Sequence, residues 1–157
     1  MTKEELAYIA GFLDGDGCIM LQLVFRHDYV LGYQIRASIV FYQKTGRDYF
    51  LEWLKKNLQF GYIRQRNDNM SEYTIVGAEA VSNILKLLKP YLRLKNKQVN
   101  LALKVLSKMP GKGNKITPKE LFKLSRLVDG FADLNYSKKR TNTSKKVEEF
   151  LRSHNLL

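Results

Sequence analysis

Asp14-Gly15-Asp16-Gly17 places two carboxylates and two glycines directly after Leu6 to Leu13, a run in which every residue is apolar, small or aromatic. The run reads as a helix, and its end is an odd place for acids. Unpaired carbonyls give a helix C-terminus partial negative charge, so a carboxylate there is disfavoured by about 0.3–1 kcal/mol and a nearby cation is expected. A divalent metal fits that need. It takes hard oxygen ligands, here a carboxylate oxygen and a free carbonyl, and keeps positions for water and phosphate. A calcium-binding EF-hand loop fails on its ligand count: counting from Asp14, the fifth position is Cys18 and the twelfth is Phe25, where oxygen donors are needed. A plain helix stop, with Gly15 or Gly17 at positive φ and both aspartates solvated, stays open on these residues alone.

Capping and periodicity define the elements that must position the motif. Thr2 to Glu5 is a capping box, so the helix starts there and runs to about Asp14. Its continuous apolar surface requires burial on both sides. Leu6, Ile9, Ala10 and Leu13 suit the chain's own core, whereas Ala7 and Gly11, four residues apart, allow close approach by a second helix. After Gly17 the pattern alternates, with Ile19, Leu21, Leu23 and Phe25 on one face and Met20, Gln22, Val24 and Arg26 on the other, which is a strand. A second strand carries Tyr33, Ile35, Ala37, Ile39 and Phe41 against Gln34, Arg36, Ser38 and Val40. Thr45 can cap a helix reaching about Leu58. Shorter strands follow near Tyr62 to Arg66 and Glu72 to Val76, joined by the turn Asn67-Asp68-Asn69.

The order α-β-β-α-β-β occurs once, with no internal repeat. Further helices are expected from about Glu79 to just before Pro90, from roughly Lys95 to Lys108, and from the capping box Thr117-Pro118-Lys119-Glu120 to about Leu134. From about residue 137 to 157 a basic tail leads into a short final helix. The 157 residues fit one α+β domain, and 45% are apolar, which excludes a disordered or fibrous chain. Lys and Arg number 27 against 15 Asp and Glu, a formal charge of +12 that points to a polyanionic partner. The single cysteine, Cys18, excludes an intrachain disulfide and an all-cysteine zinc site, and fits a reducing compartment. His27 and His154 stand apart and offer neither a ligand pair nor an evident base. The N-terminus lacks the basic-then-apolar order of a secretory signal, and no apolar run approaches a membrane span, so an intracellular protein with no membrane partner is expected, in the cytoplasm or in an organelle such as a chloroplast or mitochondrion.

Ala10-Gly11-Phe12-Leu13-Asp14-Gly15-Asp16-Gly17, with Ile9 before it, resembles the LAGLIDADG motif. The likeness extends to Gln43-Lys44-Thr45, to Gly61-Tyr62-Ile63-Arg64, to the stretch from Pro90 to Gln98 and to Asn135-Tyr136-Ser137-Lys138. Nearly the whole chain is similar to the single-motif, homodimeric LAGLIDADG homing endonucleases. That resemblance implies an αββαββα-type fold, with a four-stranded antiparallel DNA-binding sheet and helices packed behind it. It also implies metal-dependent hydrolysis of a long, pseudo-palindromic double-stranded DNA site by a homodimer, in the setting of intron homing.

By the same resemblance, Asp16 and the Gly15 carbonyl hold Mg2+, for which Mn2+ can substitute, while Asp16, Gln43, Arg47 and Lys95 make up the catalytic group. Ala7, Tyr8, Gly11 and Asp14 form the dimer seam. A strand ribbon suits the major groove. The residues expected to face DNA are Met20, Gln22, Val24, Arg26, Gln34, Arg36, Ser38, Val40, Arg64, Arg66, Glu72 and Thr74. Ser137, Lys138, Thr141 and Asn142 match tail positions at the DNA backbone, with Lys139, Arg140, Lys145 and Lys146 adding charge. An RNA-splicing maturase or a non-cleaving nucleic-acid-binding protein of the same fold is the rival, and intact Asp16, Gln43 and Lys95 favour the enzyme.

Overall fold

The computed structural model describes residues 1–111, 113–135 and 140–157. Helix α1 spans Lys3–Gly15 and starts in the expected capping box: Thr2 Oγ1 accepts from the Glu5 amide at 3.2 Å, and the Glu5 carboxylate accepts from the Thr2 amide at 2.8 Å. It ends with Asp16 at the C-cap in a right-handed conformation, and neither Gly15 nor Gly17 has positive φ. Gly17 instead serves close approach, because a Cβ there would lie 2.6 Å from the Leu13 side chain and 2.8 Å from its Cα. Without that side chain the backbone can fold against the last turn of α1 and enter the first strand.

Strands β1 (Cys18–Phe25), β2 (Tyr33–Lys44), β3 (Tyr62–Gln65) and β4 (Met70–Val76) form one antiparallel sheet in the order β1-β2-β4-β3. The register pairs Met20 with Ser38, Gln22 with Arg36 and Val24 with Gln34. It continues through Val40 and Thr74, Tyr42 and Glu72, Arg64 and Glu72, and Tyr62 and Thr74. Even-numbered strand residues therefore share one face, as period-two alternation requires. The odd-numbered Ile19, Leu21, Leu23, Ile35, Ala37, Ile39, Phe41, Tyr73 and Ile75 are buried in the core on the other face. Burial pushes the Tyr73 phenol well above its ordinary pKa, while its hydroxyl donates to Phe60 O.

Helices α2 (Tyr49–Leu58), α3 (Ala78–Leu88), α4 (Asn96–Leu106), α5 (Pro118–Asp129) and α6 (Ser144–Ser153), with a 3-10 turn at Lys89–Tyr91, complete an α+β fold. Two helix limits differ from expectation. Thr45 caps no helix: its hydroxyl meets Ser71 Oγ at 3.1 Å and its amide donates to Asn69 O at 2.9 Å, which closes the β2–β4 ladder. Asp48 occupies the N-cap of α2 without a side-chain cap bond. Helix α5 starts in its capping box with Pro118 in the first turn, yet stops at Asp129 instead of continuing to Leu134. Among the described residues, no helix is long and apolar enough to cross a membrane.

Candidate active site and nucleic-acid face

The two motif aspartates have opposite environments. Asp14 is buried, and its carboxylate accepts three successive amides leading into α4: Arg93 at 2.6 Å, Leu94 at 3.1 Å and Lys95 at 3.0 Å. Charge-assisted bonds of this kind tie the end of α1 to the start of α4. Lys95 Nζ donates back to Asp14 O at 2.5 Å, putting a cation on a last-turn carbonyl where the helix dipole favours one. Both its oxygens are engaged inside its own chain, which gives Asp14, expected at the seam, a structural role within the chain.

Asp16 is exposed, and among the described residues its carboxylate has no hydrogen-bond or ion-pair partner. Gly15 is also exposed, with no atom within 4 Å of where a Cβ would stand. A carboxylate and a helix-end carbonyl suit a hard divalent cation. They are too few to enclose one, and among the described residues no group of three or more His, Cys, Asp or Glu could hold a metal. The donors therefore fit an open site with room for further ligands.

Lys95 stands on the same corner, lining with Gly15, Gly17 and Cys18 one end of a cleft of about 520 Å³. Burial raises the Cys18 thiol above its ordinary pKa against the opposing pull of Lys95, so Cys18 is no ready thiolate nucleophile. Gln43 reaches this end of the sheet by topology: β1 begins at Cys18 opposite Val40, and Gln43 lies three residues further along β2. Its Oε1 accepts from the Lys44 amide at 3.0 Å. Arg47 is exposed in the loop that follows. Among the described residues, neither Gln43 nor Arg47 bonds to Asp16 or Lys95. His27 packs edge-on to Phe25 and His154 stacks on Phe150, both away from this corner.

The even-numbered sheet face is polar and cationic at its margins and closed at its centre. Gln22, Arg26, Arg64 and Arg66 are exposed, whereas Met20, Val24, Gln34 and Arg36 are half-buried. Ser38, Val40, Glu72 and Thr74 are buried, which corrects their expected availability. Ser38 lies between Met20 and Val76, and Val40 between Cys18 and Thr74, so short side chains on the central strands are shaded by both neighbours. Tyr42 and Tyr62 were absent from the expected set although they have the same parity; Tyr62 is exposed, and Arg66 lies over the Tyr42 ring at 6.0 Å. Even numbering within each strand was the signal that could have found them.

Glu72 also has a different role from the one expected. Its Oε1 accepts from Arg64 Nε at 3.0 Å and lies 2.8 Å from Arg64 Nη2, while Oε2 is 3.6 Å from Arg66 Nη1. Arg66 further pairs with Asp68 at 2.8 Å, and Arg26 with Asp28 at 2.6 Å, exposed pairs that polyanionic DNA can outcompete. Glu72→Gln is expected to tighten binding to random-sequence duplex severalfold, as one negative charge per chain is removed. Preference for a specific duplex over random DNA should fall, because glutamine offers one neutral acceptor oxygen in place of the charged carboxylate that orients both arginines. Parallel titrations of the two duplexes check this, and an unchanged ratio would refute the orienting role.

Thr141 is exposed, but Asn142 donates to Leu23 O at 2.9 Å and Arg140 to Leu21 O at 3.0 Å. Asn142 is therefore anchored within the chain by one amide hydrogen, beyond the DNA-backbone role expected of it. Ser137, Lys138 and Lys139 lie outside the described residues.

An exposed carboxylate at the end of an apolar helix, a cation beside it and a basic antiparallel sheet define an open half-site of the nucleic-acid-processing class. The LAGLIDADG endonuclease family profile matches residues 9–104. The chain is 40% identical over 148 residues to DNA endonuclease I-CvuI of Chlorella vulgaris, covering 94% of this chain and 90% of that one. It is 38% identical over 152 residues to DNA endonuclease I-CreI of Chlamydomonas reinhardtii, covering 97% and 91%. The structure of I-CvuI with its target in 2 mM Ca superposes with a TM-score of 0.91 at 38% identity, covering 98% of this chain and 96% of that one. I-CvuI with the I-CreI target in 2 mM Mg, its DNA not cleaved, gives 0.92 at 37% identity, covering 99% and 97%. This chain belongs to the LAGLIDADG endonuclease family.

Proposed function

We propose that this protein is a site-specific homing endonuclease that acts as a homodimer and hydrolyses phosphodiester bonds in a long, pseudo-palindromic double-stranded DNA target. The observation that carries this reading is the exposed Asp16 at the end of α1, without a partner among the described residues, directly beyond an exposed stripe of Ala7, Tyr8 and Gly11. Two copies pairing through that stripe would bring two Asp16 carboxylates together and complete an open metal site. Asp16 and the Gly15 carbonyl are the residues proposed to hold Mg2+, with Mn2+ as a substitute. Bound divalent metal supplies an activated water and charge stabilisation at the scissile phosphate.

Lys95 adds fixed positive charge at this corner, held there by its bond to Asp14 O. Gln43 and Arg47 approach from the end of β2, where they can order water and neutralise phosphate charge. Arg64, Arg66, Arg36, Gln34 and Gln22 have the donors needed to read base edges in the major groove. Ser137, Lys138 and Thr141 are proposed for the DNA backbone. Intracellular action in the cytoplasm or an organelle accords with a nucleic-acid substrate. Incubating the protein with magnesium and a randomised duplex library tests the reading: recovered cut ends support it, whereas bound but uncut DNA or RNA would favour the non-cleaving or maturase alternative.

Tyr8 projects from the seam as a fixed ring, 58% exposed and packed edge-on against Phe50 at 5.8 Å and Trp53 at 6.2 Å. A Cβ on Gly11 would meet no atom of its own chain within 4 Å. Gly11 is exposed and has space for a Cβ, so Gly11→Leu should raise α1 stability by up to about 1 kcal/mol. Sedimentation should nevertheless show monomer where the wild type is dimeric, with cleavage lost. An unaltered, active Gly11→Leu dimer would sink this seam.

A further inference from the structure

Strand β1 ends the sheet order and, among the described strands, pairs along one edge with β2. Such an edge leaves a row of backbone groups in need of partners. Three side chains from one stretch of chain answer alternate carbonyls of that row. Asn135 Nδ2 donates to Ile19 O at 3.4 Å, Arg140 Nη2 to Leu21 O at 3.0 Å and Asn142 Nδ2 to Leu23 O at 2.9 Å. Arg140 Nη1 donates to Val128 O at 2.8 Å, near the end of α5, so one planar guanidinium joins a helix to the strand. Burial lowers the Arg140 pKa, with Asp129 opposing the shift.

The same stretch is tied at its ends. Gln98 of α4 donates to Leu134 O at 2.7 Å, and the Ser144 amide donates to the Asp129 carboxylate at 3.1–3.2 Å. The gripped residues Ile19, Leu21 and Leu23 alternate with Met20, Gln22 and Val24, whose side chains stand on the opposite face. The clamp thus holds the strand by its backbone and leaves that face untouched.

We propose that Arg140 is a positioning residue for DNA binding: by joining Leu21 O to Val128 O it holds the described residues that follow it, Thr141 and Asn142 with Lys145 and Lys146 beyond, beside the edge of the sheet, so that both engage one duplex. This rests on the DNA-binding reading above and is independent of cleavage. The test is the salt dependence of binding to a labelled random-sequence duplex without divalent metal, for wild type, Arg140→Met and Arg140→Lys, with thermal melts checking the fold. Loss of one phosphate contact per chain makes the slope of log K against log salt shallower by about one unit per chain. Both variants are expected to show that loss, since lysine keeps the charge but not the planar fork. Lys86→Met, which removes the same charge from the exposed side of α3, should retain the wild-type slope.

If Arg140→Met does not fold, Arg140→Lys decides alone. A wild-type slope in Arg140→Lys, or in both variants, would overturn the proposal, as would an equal loss in Lys86→Met. A wild type that binds duplex but never cuts in magnesium would sink the endonuclease reading and leave this comparison standing.

Discussion

Asp16→Asn is expected to bind duplex at least as tightly as the wild type while cutting it slower by about three orders of magnitude or more. The side chain is exposed and makes no described contact within the chain, so the amide costs the fold nothing. What disappears is the charge that would hold a divalent cation at the negative end of α1. Two fewer carboxylates in a dimer also relieve repulsion from the phosphates, which favours binding. Mobility shift and strand scission in magnesium, run on the same target, separate the two effects. Substantial cleavage by the variant would overturn the metal assignment.

Asp14→Ala should fail in the opposite manner, through the fold. Removing the carboxylate leaves the Arg93, Leu94 and Lys95 amides without their acceptor and unties α1 from α4. Hydrogen bonds to a charged group contribute about 1.5–3 kcal/mol each and do not add fully, so a loss of about 3–5 kcal/mol is expected. For a domain of this size that lowers Tm by about 10 °C. Asp14→Asn, which keeps one acceptor oxygen, should fall between the alanine variant and the wild type. Urea unfolding measures both. An Asp14→Ala protein as stable as the wild type but unable to dimerise would return this residue to the seam between chains.

Much of the fold was legible because it is local. The capping boxes at Thr2 and Thr117 bond residues three apart, so four letters contain the whole interaction. Alternation from Ile19 to Phe25 and from Tyr33 to Phe41 separates the two faces of the sheet before any pairing is known. Thr45 misled because its hydroxyl could cap a helix or join a strand ladder, and Ser71, distant in sequence, decided between them.

By itself, the sequence determined where the two capping-box helices begin, which strand residues share a face, that the charge balance is strongly basic, and that Asp16 follows an apolar helix. Neighbouring residues set each of these. Tertiary structure decided which backbone amides Asp14 clamps and that Asp16 is left exposed, since the partners of Asp14 lie about 80 residues away. It also decided that Glu72 holds arginines, that Ser38, Val40 and Thr74 are shaded, and that Arg140 and Asn142 bond to an edge strand more than 100 residues earlier. Periodicity assigns a side chain to a face, but its exposure and its partner depend on which distant strand or helix lies beside it.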